Sequence, residues 1–142
     1  MFSISFLSEI KAGAKSSKGS IIIGSSTEYF LSSFDYWTPN NYRKQWLKAV
    51  ALIQTEESRS ALITDVPFLS PPSFINWWPM WRFGQLVKIQ EQLLILEDLT
   101  APFDINNPYI HLGEYESINE EGQPISEWTV SVSDLIQFSG SI

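Results

Sequence analysis

The chain has 142 residues, 44% of them apolar and 14% aromatic, enough to bury one sizeable core and more than a disordered chain would carry. It contains no cysteine, which excludes disulfides, thiolate metal sites and thiol nucleophiles. The net charge of −7 argues against direct nucleic-acid binding, which rests on Lys and Arg, and admits a basic partner.

Charge is also unevenly placed. All nine Lys and Arg lie between Lys11 and Lys88, whereas residues 91–142 hold ten Asp and Glu and no basic side chain. Met1-Phe2-Ser3-Ile4 lacks the positive start of a secretory signal. No apolar run approaches the ~20 residues of a membrane-spanning helix. The expected location is therefore cytoplasmic, with no membrane partner.

Segments 3–8 and 21–24 are rich in β-branched and aromatic residues and are expected to pair, with the Lys/Ser/Gly stretch between them as a loop. Segment 28–34 is short and apolar, of undecided type. At Thr38-Pro39 a hydroxyl residue in the cap position precedes a proline preset for the first helical turn. A helix over 39–54 follows, with Tyr42, Trp46, Val50 and Ile53 on one face and Arg43, Lys44 and Lys48 toward solvent.

Residues 60–66 read as a strand ended by Pro67 and Pro71-Pro72. The aromatic run 74–83 reads as another, with Ile75, Trp77, Trp81 and Phe83 on one face and Phe74, Asn76, Trp78, Met80 and Arg82 on the other. Pro79 cannot donate to a ladder, which predicts an edge position or a bulge. Gly84-Gln85 supplies a tight turn into strand segments 86–89 and 93–96, broken or bulged at Gln90, Glu91 and Gln92. After an irregular acidic stretch, 125–130 reads as a last strand, and Ser131 or Ser133 can cap a short helix carrying Leu135, Ile136 and Phe138.

Catalysis at neutral pH needs a poised acid, base, nucleophile or metal. No nucleophile elbow, phosphate-cradling glycine loop or calcium-loop spacing is present. His111 is the one histidine and cannot by itself assemble the usual zinc site. The adjacent acids Glu97-Asp98 and Glu120-Glu121 would serve a hydrolase only if two carboxylates faced each other across a cleft. The expectation is a binding protein, not an enzyme, with no cofactor and no metal.

Trp46, Trp77 and Trp81 are expected in the core, with Trp78 as the exposed exception. An open platform of Trp77, Trp78 and Trp81 would favour an alternative function, a small carbohydrate- or ligand-binding module. Glu114, Glu116, Glu120, Glu121 and Glu127 fall within fourteen residues, beside Tyr115 and Trp128 and without Lys or Arg nearby in sequence. Such a stretch is often only a solubilising face. Here it would also steer a basic protein, with Tyr115 as an anchor.

Several motifs occur together in order: Asp35-Tyr36-Trp37 before the helix, Tyr42-x-x-x-Trp46-Leu47-x-x-Val50 within it, Ser60-Ala61-Leu62, the aromatic hairpin 77–96 closed by Glu97-Asp98, and Ile125-Ser126-Glu127-Trp128 before the last helix. In this the chain resembles the immunity proteins of bacterial contact-dependent growth inhibition systems, the CdiI proteins. The resemblance covers about residues 28–139, and residues 1–24 contribute nothing to it.

The resemblance implies a mixed α/β immunity protein that binds, one to one, the C-terminal toxin domain of a large CdiA-type effector. Toxins of such systems are frequently nucleases, including tRNA-cleaving ones. Trp37, Trp46 and Trp128 are read as fold determinants, so the toxin contacts are sought on this chain's own surface: Glu97, Asp98, Glu114, Tyr115, Glu116, Glu120 and Glu121. The expected fold is α+β, one domain over residues 1–142, with a twisted antiparallel sheet of about five or six strands packed by one main helix and a short C-terminal helix.

Overall fold

In the computed structural model, which describes residues 1–55, 59–67 and 73–140, the first three strands form a sheet of their own. β1 (Phe2–Phe6) pairs antiparallel with β2 (Ser16–Ile23), and β2 with β3 (Ser26–Ser33). The undecided segment 28–34 is thus a strand, and the Lys/Ser/Gly stretch is loop only up to Ser16. Gly24, at φ 63, opens the two-residue turn between β2 and β3, a backbone shape glycine adopts without steric cost. Gly19 lies opposite Phe30, where a Cβ would collide with the Phe30 ring.

α1 (Pro39–Gln54) starts where the sequence predicts. Thr38 Oγ1 accepts from the Asn41 amide at 3.2 Å and Asn41 Oδ1 accepts from the Thr38 amide at 2.9 Å, a reciprocal capping box. Tyr42, Trp46, Val50 and Ile53 are all buried. The Trp46 ring meets Phe6 at 5.1 Å and Phe30 at 5.8 Å, so this stripe packs on the first sheet.

The same helix seals the margin of the second sheet, whose strand order is β4 (Arg59–Asp65), β5 (Phe74–Phe83), β6 (Leu86–Gln90), β8 (Glu127–Ser131), with β7 (Gln92–Ile95) also pairing to β5. Gln45 Nε2 donates to Ala61 O at 2.7 Å and its Oε1 accepts from the Ile63 amide at 2.8 Å. Trp46 Nε1 donates to Ile63 O at 2.7 Å. The Tyr42 hydroxyl accepts from the Val66 amide and donates to Ser33 O. Burial, chiefly, pushes that hydroxyl well above the ordinary tyrosine range, so it remains a donor.

The α+β class expected from sequence holds, with eight strands among the described residues forming two antiparallel sheets, of three and five strands, where one sheet was expected. β3 reaches β4 through side chains, Ser32 Oγ donating to Thr64 O and Asp65 accepting from the Ser33 amide, and no ladder joins them. α2 (Val132–Gly140) is capped by Ser131, whose Oγ accepts from the Asp134 amide at 3.1 Å. It is tied to the N-terminus by the Met1 ammonium on Asp134 and by an edge-on contact of Phe2 with Phe138. No helix among the described residues is long and apolar enough to cross a membrane.

Two expectations about β5 need correction. Pro79 is neither at an edge nor at a bulge: β5 is a central strand, with Ala61 of β4 opposite Pro79. β6 and β7 keep one continuous register against β5, from Met80 opposite Ile89 to Trp77 opposite Gln92, and the ladder lapses only between them. Leu96 N donates to Ser73 O, and the alternation this sets makes Pro79 face Gln90 at a hydrogen-bonding position where proline has no donor. The expected interruption near Glu91 is therefore real, without an inserted residue. The bulge falls instead between Ile63 and Asp65 in the β4–β5 ladder.

Trp78, expected to be exposed, is 1% accessible and packs on Trp128 with ring centres 5.3 Å apart. Both faces of β5 are covered. The first sheet and the helices take the Trp78 face, and residues 99–126 cross the Trp77 and Trp81 face. The predicted turn at Pro71-Pro72 lies outside the described residues.

Candidate functional site

The segment crossing the β5 face is held by buried polar groups. Trp81 Nε1 donates to Gly113 O at 3.1 Å. Gln90, fully buried, donates from Nε2 to Glu116 O at 2.8 Å and to Glu127 Oε1 at 3.2 Å. At the tip, Asn119 Oδ1 accepts from the Glu121 and Gln123 amides, and Gly122 adopts φ 80. This tight turn leaves Glu120 and Glu121 exposed.

The predicted contact residues fall into two groups. Glu114, Tyr115, Glu116, Glu120 and Glu121 share this crossing segment, and its four carboxylates are exposed. Glu97 and Asp98 sit on a 3-10 turn (Leu96–Asp98) beyond the end of β7. That is five residues past Gln92, which lines a recess of about 240 Å³ with Glu114 and Glu116. Glu97 Oε1 accepts from the Ser73 amide at 2.8 Å, so one of its oxygens also fixes the start of β5.

Tyr115 rests edge-on against Trp81 and Phe83, with ring centres at 5.5 and 5.2 Å. Its hydroxyl donates to both oxygens of Glu127, at 2.7 and 3.0 Å, and that hydrogen bond, then burial, raises its pKa. Glu127 is not part of the open acidic field: Lys88, distant in sequence, reaches its Oε2 at 3.2 Å. Burial raises the Glu127 carboxyl, but hydrogen bonds from Tyr115, Gln90 and Lys88 together with the Lys88 charge bring it below the ordinary range.

Sequence reasoning missed Glu91 and Glu28. Burial first, then the charge of Glu28 on β3, raises the Glu91 carboxyl, so two acids from different sheets oppose each other. Only the stacking of the sheets brings them together, and no local signal marks it. His111 stacks on Phe103 at 5.3 Å and its Nε2 accepts from the Asp104 amide at 3.4 Å, a structural setting. No group of three or more His, Asp or Glu able to hold a metal occurs among the described residues. Trp77, Trp78 and Trp81 are 2%, 1% and 6% accessible, so the open aromatic platform of the ligand-binding alternative does not exist.

A solved structure described as a CdiA-CT/CdiI toxin and immunity complex from Enterobacter cloacae contains a chain similar to this one, at 23% identity and a TM-score of 0.86, over 99% of this chain and 97% of that one. That likeness is one of fold. A relative named immunity protein CdiI, from Enterobacter cloacae subsp. cloacae, is 24% identical over 125 residues, 87% of this chain and 84% of the relative. The family model described as the CdiI N-terminal domain matches residues 32–138, well over half of the chain. On that match the chain belongs to the CdiI family of immunity proteins.

Proposed function

We propose that this protein neutralises the C-terminal toxin domain of a CdiA-type effector by binding it one to one in the cytoplasm, as a single domain and without a cofactor or catalysis of its own. The toxin in this reading is a nuclease, of the tRNA-cleaving kind. The carboxylates of Glu114, Glu116, Glu120 and Glu121 cover its basic active site or substrate groove, with Tyr115, Glu97 and Asp98 extending the contact. Nucleic acid and membrane take no direct part.

The observation that carries this reading is the exposed one-sign loop in a chain of the CdiI family. Its four glutamates stand in solvent, and the nearby Lys88 is engaged by Glu127. Acidic residues so placed raise the encounter rate with a cationic groove and compete there with phosphates. The test is calorimetric titration of the purified toxin domain encoded beside this chain: one-to-one binding at nanomolar affinity is expected, and no binding at micromolar concentrations would contradict the proposal.

A further inference from the structure

β8 does not run the full length of the sheet. Gln90 lies opposite Glu127 in the β6–β8 ladder, and continuing that register would set Ser126 opposite Glu91 and Pro124 opposite Leu93. The chain leaves the ladder there. Pro124 has no amide to offer, and it instead bridges Ile118 while the Ile125 amide donates to Ser117 O at 2.9 Å. The place beside β7 that a strand would take is a groove of about 720 Å³, with Glu91, Leu93, Glu120, Pro124 and Ile125 among its walls.

The alternation set by the Leu96–Ser73 bond turns the amides and carbonyls of Leu93 and Ile95 away from β5, toward this groove. None of them has a backbone partner among the described residues. Their side chains are exposed as well, at 52% and 43%, with Phe74 opposite Ile95 at 40%. An unpaired edge with apolar side chains is a template for strand addition. The flanking charge is of one sign: Glu91 and Glu120 line the groove, Glu28 bears on Glu91, and Glu97 and Asp98 follow the end of β7.

We propose that an extended, Lys- or Arg-bearing segment of the toxin domain enters this groove as an added strand, hydrogen-bonded to Leu93 and Ile95; this rests on the toxin-binding reading above. Backbone pairing supplies attachment, Leu93 and Ile95 pack alternate side chains of the segment, and Glu91 and Glu120 meet its cations.

Amide hydrogen exchange of the labelled chain, alone and with an inactivated toxin domain encoded beside it, tests this. Leu93 and Ile95 should exchange fast in the free chain and about 100-fold slower in the complex. A complex seen by calorimetry with both amides unchanged would overturn the added strand and leave toxin binding standing. No complex at all removes both. Protection in the free chain together with a dimer in solution would give the groove to a second copy and equally overturn the proposal. Leu93→Pro, which removes an outward-facing amide and no hydrogen bond to β5, should weaken binding about tenfold, and Leu93→Ala less. Should Leu93→Pro fail to fold, the exchange result decides alone.

Discussion

Along β4 the Ala61 carbonyl and the Ile63 amide and carbonyl, and just past its end the Val66 amide, meet side chains of α1, whereas along β7 the amides and carbonyls of Leu93 and Ile95 meet none among the described residues. Both are margins of one sheet. The first is closed by Tyr42, Gln45 and Trp46 and surrounded by core; the second opens between carboxylates on the side where the acidic loop crosses. An edge left unpaired is a hazard that folds usually suppress. Here α1 covers one side with side-chain hydrogen bonds, which makes the open side a candidate working surface.

Breaking the closed margin should have the largest effect. Trp46→Ala removes a large buried ring and the donor to Ile63 O, and should lower stability by about 3–5 kcal/mol in urea unfolding. Gln45→Ala keeps the core but leaves Ala61 O and the Ile63 amide without their partner, at a cost of about 1–3 kcal/mol. Added self-association should accompany it, read by light scattering, because an edge has been uncovered.

On the open side the effects fall on binding. Reversing Glu114, Glu116, Glu120 and Glu121 to Lys should slow toxin association about tenfold at low salt, with the difference shrinking toward 0.5 M salt, while the melting temperature holds. An unchanged rate would remove the loop from the interface.

The smallest effect concerns Glu91. Its carboxyl is raised by burial and by Glu28, so the folded chain holds that proton more tightly than the unfolded chain does. Stability from this group is present at low pH and is lost as pH rises through the ordinary and then the raised glutamate range. Glu91→Gln should therefore raise the melting temperature slightly at pH 7, with the gain vanishing in acid. The same change should weaken toxin binding. Glu127, held below the ordinary range, has the opposite sign: its contribution is present at neutral pH and lost as pH falls through its lowered value.

Much of the fold was legible where local chemistry and periodicity agree. Thr38-Pro39 and the Tyr42, Trp46, Val50, Ile53 stripe mark α1 at both ends, and Gly84 marks the β5–β6 turn. Trp78 was misread because alternation along a strand predicts one open face, while this strand is covered on both. Pro79 was misread because a missing donor can be tolerated in a central strand when the facing ladder simply lapses. The acidic loop was visible as a one-sign segment, but the neutralisation of Glu127 by Lys88 was not, since the pair lies 39 residues apart. The open edge of β7 follows from the register of three strands and the turn at Pro124, which no linear pattern encodes.

The most direct measurement of the central claim is the activity of the toxin domain, a nuclease in the proposed reading, titrated with this chain. Activity should fall linearly and reach zero at one equivalent; a toxin that keeps full activity in several-fold excess of the chain would contradict the account.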